Sequence, residues 1–135
     1  MRERTLVPVL DVMTTPPCTI DGLASVAEAL ELMRSHNISS MVVDRRHPGD
    51  EFGILVVHDI ATQIIARDRS PVRTSVYEIM SKPVLTVNVN MDIRYGIRLL
   101  ARFGLSRALA TDQGELAGIV TLRDMVLRYL PDSAP

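Results

Sequence analysis

Gly118-Ile119-Val120-Thr121-Leu122-Arg123-Asp124 stands 65 positions after Gly53-Ile54-Leu55-Val56-Val57-His58-Asp59, with glycine, isoleucine and aspartate in register. Working back from it, the shift becomes 67. Val12-Met13-Thr14 then aligns with Ile79-Met80-Ser81, Pro16 with Pro83, and Thr19-Ile20 with Thr86-Val87. Leu32-Met33 pairs with Leu99-Leu100 and Ile38-Ser39 with Leu105-Ser106. The two-residue difference falls within Arg45-Arg46-His47-Pro48-Gly49-Asp50, a polar stretch where a turn tolerates insertion. The chain is a duplication: a first repeat over 8–68, a linker over 69–74 and a second repeat over 75–131.

Each copy carries the same succession of elements. A short extended piece (18–20, 85–87) leads into a helix. In the first copy Ser25 and Glu28 make a capping box ahead of apolar Val26, Ala29, Leu30, Leu32 and Met33. In the second, Asp92 is placed to cap a helix with Ile93, Ile97, Leu99 and Leu100 on its apolar face. Strands over 40–43 and 107–110 follow, then turns at Gly49-Asp50 and Gln113-Gly114. Second strands over 53–57 and 118–122 run into helices that begin near Asp59 and Asp124. These strands are almost continuously apolar, so both of their faces should be covered. Ser75 and Glu78 form another capping box between the copies. The predicted fold is α/β (α+β), two pseudo-symmetric β-α-β-β-α repeats packed as one module.

Composition excludes several classes of function. At 135 residues the chain is long enough to bury roughly 68% of its unfolded surface. Fifteen basic against sixteen acidic residues give a net charge of −1, whereas a general nucleic-acid binder needs positive charge to displace counterions. The longest apolar run, Phe52 to Val57, is far short of the ~20 residues of a membrane span. Met1-Arg2-Glu3-Arg4-Thr5 is not a secretory signal, and the single Cys18 forms no internal disulfide, so a cytoplasmic protein is expected. His36, His47, His58 and Cys18 lack the tight spacing of a structural metal site, so none is expected. No phosphate loop, no nucleophile elbow and no histidine paired with Cys18 points to catalysis, and the chain does not read as an enzyme.

The strings Met33-Arg-Ser-His-Asn-Ile-Ser-Ser-Met-Val-Val-Asp44 and Gly118-Ile-Val-Thr-Leu-Arg-Asp124 resemble the cystathionine β-synthase (CBS) domain, and two in tandem resemble a Bateman module. The resemblance covers about residues 8 to 131. It implies a regulatory, non-catalytic module that binds AMP, ADP, ATP or S-adenosylmethionine in clefts between repeats. It also implies a homodimer, and the effector protein is expected to be encoded elsewhere, since no partner domain is read in this sequence.

The family's Gly-hydrophobic-x-Thr/Ser-x-x-Asp motif is complete in the second copy as Gly118, Thr121 and Asp124. A carboxylate at a helix start can accept from both hydroxyls of a ribose, and the threonine hydroxyl can reach ribose or phosphate. The helix N-terminus favours an anion, and glycine lets a ligand approach the backbone. The same Thr121 and Asp124 also suit plain helix capping. Arg107 resembles a phosphate-contacting residue of some members, and could equally be a solvated strand-end arginine. The first copy keeps Gly53 and Asp59 as a weaker second site, with Val56 in place of the threonine and Ser40 in place of the arginine. By family packing the Asp124 site should draw Thr14, Cys18, Ile20, Ile38 and Ser39 from the first copy, with Ile20 and Ile38 sandwiching a purine. A ligand-free dimerisation body and an S-adenosylmethionine binder stay open beside the adenine-nucleotide reading.

Overall fold

Residues 6–129 are described by the computed structural model, and both repeats fold in the predicted order. The first has β1 (Thr19–Ile20), α1 (Val26–His36), β2 (Ser40–Val43), β3 (Gly53–Val56) and α2 (Val57–Ile60), which widens into a π-helical turn over Ala61–Ile65. The second has β4 (Thr86–Asn88), α3 (Ile93–Phe103), β5 (Arg107–Asp112), β6 (Glu115–Thr121) and α4 (Leu122–Arg128). Each makes a three-stranded sheet in the order β1-β2-β3 or β4-β5-β6. The first pair of strands is parallel and the second antiparallel, because a helix crosses over in one case and a turn reverses the chain in the other. Residues 41–43, 53–55, 108–110 and 118–120 are consecutively buried, so these strands are covered on both faces. No helix among the described residues is long and apolar enough to cross a membrane.

Local chemistry sets the element ends. Ser25 Oγ accepts from the Glu28 N–H at 3.1 Å, and α1 stops where Asn37 turns left-handed. The Ser75 N–H donates to Glu78 Oε2 at 2.7 Å in the expected box. Asp92 does not cap α3 as the sequence predicts. Its carboxylate instead accepts from the Val7 N–H at 3.4 Å and lies 3.8 Å from Arg94 Nε, so it ties down the incoming N-terminal segment. Strands β5 and β6 extend past their predicted ends because Gln113 and Gly114, with φ of 51° and 82°, close a two-residue hairpin turn.

Compact units do not follow the sequence repeats. One unit is Met1–Pro17 with Leu85–Pro135, and the other is Cys18–Val84. The segment leading into each repeat packs on the strands of the other copy. Thr14 pairs with Ile119 through N–H···O bonds of 2.8 and 3.1 Å, and Ser81 pairs with Ile54 through two of 2.9 Å. Val9, Val87, Ile93, Leu100, Val120 and Met125 belong to the core of the first unit. The second unit closes around Val26, Met33, Met41, Leu55, Ile60, Ile64 and Val76. Met33 and Leu100 are thus interior residues, not candidates for a surface between copies.

The β2–β3 connection, residues 44–52, is long and pinned. Lys82 Nζ lies 2.8 Å from Asp50 Oδ1, and the Arg46 N–H donates to Asp50 Oδ2 at 3.0 Å. The Arg46 amide first, then Lys82 and the Glu51 amide, hold the Asp50 carboxyl well below the usual carboxylate range. A depressed folded pKa stabilises the loop fully above the unfolded value near 3.9, and that contribution fades as pH falls further. NMR titration should therefore find Asp50 still ionised below about pH 3.5. Ordinary titration near 3.9 would contradict the pinning.

Candidate functional site

Arg107 opens β5 and Thr121 closes β6, and the two are direct partners in the antiparallel ladder. Opposite residues share a face with Cβ atoms about 5 Å apart, so the two side chains leave the sheet side by side. Arg107 Nε and Nη1 are buried and have no hydrogen-bond partner. The Leu122 N–H donates to the Ser106 carbonyl at 2.7 Å and holds the strand-to-helix corner beside them.

Thr121 Oγ1 accepts from the Asp124 N–H at 3.0 Å, so the capping role is real. That bond uses the oxygen as acceptor and leaves the hydroxyl proton free to donate. Asp124 is half-buried, and among the described residues no hydrogen bond or ion pair engages its carboxylate. Arg107, Thr121 and Asp124 thus lie in one unit, at one corner of one sheet.

Gly118 lets the chain's own lead-in segment approach its backbone. A Cβ there would lie 2.6 Å from the Thr14 carbonyl oxygen and 2.9 Å from Met13 Sδ. The space is filled by the chain's own lead-in segment, and Thr14 acts through this backbone pairing with Ile119. Gly53 repeats the arrangement with Met80 Sδ at 2.8 Å and the Ser81 carbonyl at 3.2 Å.

Cys18, Ile20, Ile38 and Ser39 belong to the other unit. Ile20 is buried in that unit's core, and Ile38 packs half-buried against the same core. Cys18 is half-buried, with its carbonyl accepting from Val42, and Ser39 is exposed, with its carbonyl accepting from Val57. In the weaker copy, Asp59 Oδ2 already accepts from the Val56 N–H at 3.3 Å, and valine supplies no hydroxyl. Among the described residues, no group of three or more His, Cys, Asp or Glu is placed to hold a metal ion.

Comparison with known proteins gives this geometry a family. The CBS domain model matches residues 9–66 and again 76–130. The CBS domain-containing protein YhcV of Bacillus subtilis (strain 168) is 32% identical over 126 residues, covering 93% of this chain and 88% of that protein. The hexameric CBS-CP12 protein from bloom-forming cyanobacteria superimposes with a TM-score of 0.87 at 32% identity, over 92% of this chain and 72% of that one. The CBS domain pair of protein MJ0100, solved with 5′-methylthioadenosine and S-adenosyl-L-methionine, shares the fold at a TM-score of 0.78 and 24% identity, over 91% of this chain and 95% of that one. With both repeats matched in order, the chain belongs to the CBS domain family as a tandem pair.

Proposed function

We propose that this CBS pair is a regulatory module, not a catalyst, that senses an adenine nucleotide of the AMP, ADP or ATP kind and signals to a separate effector protein. The Arg107 guanidinium, whose Nε and Nη1 are buried without a hydrogen-bond partner, carries this reading. Burying a charged donor without an acceptor costs about 1–3 kcal/mol or more, and a phosphate is the acceptor its planar fork fits best. Thr121 beside it can donate to the same phosphate, while the open Asp124 carboxylate suits ribose hydroxyls. The fold's ability to hold adenosyl ligands, as in the MJ0100 pair, is consistent with this. The sulfonium of S-adenosylmethionine would meet a guanidinium of like charge, which favours phosphorylated adenosine.

Arg107→Met tests the proposal in two ways. Without ligand the variant should melt higher, by about 1–2 kcal/mol, because an unsatisfied charge has been replaced by an apolar chain of similar length. It should also lose most of the preference for AMP over adenosine, measured by calorimetry. A lower melting point together with an intact preference would sink the assignment, as would S-adenosylmethionine displacing AMP at lower concentration than the reverse.

The further partner we propose is a second copy of the chain, in a two-fold homodimer. Tyr95 and Phe103 on α3, with Val126 and Leu127 on α4, are large apolar side chains exposed at 51–67%. Closed two-fold contact between identical faces leaves no further edge open. Light scattering should give twice the 15.0 kDa chain mass at micromolar concentration; a monomer with and without nucleotide would refute it.

A further inference from the structure

The two sheets differ most in how their antiparallel strands connect. β5 and β6 need only Gln113 and Gly114, whereas β2 and β3 are joined by residues 44–52. A two-residue turn is therefore sufficient for this hairpin, and the longer connection does something the fold does not require. It walls a cavity of about 310 Å³ inside the Cys18–Val84 unit, a volume that suits a small ligand.

Charge of both signs lines this cavity. Asp21 and Asp44 stand on it with Arg45, Arg46 and Lys82, and Leu23, Met80 and Tyr77 supply apolar surface. Much of the charge is already used. Lys82 is neutralised by Asp50, while Asp21, whose Oδ1 accepts from the Leu23 N–H at 2.8 Å, keeps its charge. The Arg46 guanidinium lies over the Tyr77 ring, 5.9 Å from its centroid, without an ion-pair partner. The Asp44 carboxylate has neither hydrogen bond nor ion pair. Asp44 and Arg46, both exposed and two residues apart, thus line the same cavity without pairing with each other, beside Asp21 and Arg45. A simple anion would be opposed by Asp44, and a simple cation by Arg46. A ligand bearing both charges satisfies both.

We infer that this cavity binds a zwitterionic α-amino acid with an apolar side chain. Its ammonium group is held by Asp44 and its carboxylate by Arg46, and its side chain lies against Tyr77, Leu23 and Met80. This site is independent of the nucleotide reading, and shares no residue with Arg107, Thr121 or Asp124.

Titrating the full chain with L-phenylalanine and L-leucine, followed by backbone amide shifts, tests it. Saturable shifts should appear at residues 21–23, 44–46 and 77 within about 10 mM, the range expected for so few ligand atoms. N-acetyl-L-phenylalanine and L-phenylalaninamide, each lacking one charge, should bind at least about tenfold more weakly to the unaltered protein. Asp44→Asn and Arg46→Gln should each produce a similar loss while leaving AMP binding unchanged. No saturation by either amino acid, or equal binding of the two blocked derivatives, would overturn the inference. So would inorganic phosphate producing the same shifts.

Discussion

Asp124→Asn should weaken AMP binding ten- to a hundredfold, while Asp59→Asn should leave it nearly unchanged. Losing a charge-assisted hydrogen bond to a ribose costs about 1.5–3 kcal/mol, which is that range of affinity. The asymmetry rests on what each carboxylate already does. Asp124 is open, whereas Asp59 is occupied by the Val56 amide and has neither threonine nor arginine beside it. Calorimetry on both variants decides, and equal losses would show that the two corners work alike. Melting curves must accompany it, since an acid in the first turn also supports the helix.

Gly118→Ala should lower stability by about 2–3 kcal/mol, roughly 10 °C in melting temperature, with or without nucleotide. Its new methyl group would sit 2.6 Å from a backbone carbonyl that is itself bonded into the sheet, so the lead-in must move away. Gly53→Ala should cost about 1 kcal/mol or less, because its nearest obstacle is the thioether of Met80, the far end of a flexible side chain. Thermal denaturation of the two variants measures the contrast. Similar melting points would mean the Thr14 contact gives way easily.

Repetition made the fold legible. One strand-turn-strand-helix pattern can be misjudged, but the same pattern at a shift of 65 to 67 corrects itself, and element order follows. Thr121 and Asp124 were legible because capping and ligand chemistry ask for the same residue types there. The position of Arg107 beside Thr121 was harder to reach. Counting outward from the Gln113-Gly114 turn misses it by one residue, because the ladder slips between Ala110 and Thr111. Bulges of that kind leave little trace in apolar patterning. The neighbour of Gly118 was illegible for another reason. A glycine that admits a ligand and one that admits a neighbouring backbone look identical in sequence, and only the pairing of Thr14 with Ile119 separates them.

That pairing also bears on how such a chain could have arisen. Thr14, ahead of the earlier repeat, bridges to the sheet of the later one, and Ser81, ahead of the later repeat, bridges to that of the earlier one, so each half lends its lead-in to the other. An ancestor with a single repeat could satisfy its sheet this way only by exchanging arms with a sister molecule. Gene fusion would then have turned an exchange between two chains into one within a single chain, removing its dependence on concentration. A nick within 69–74 should accordingly release no autonomous domain. The two fragments should instead be stable only when mixed, each recognising the arm carried by the other.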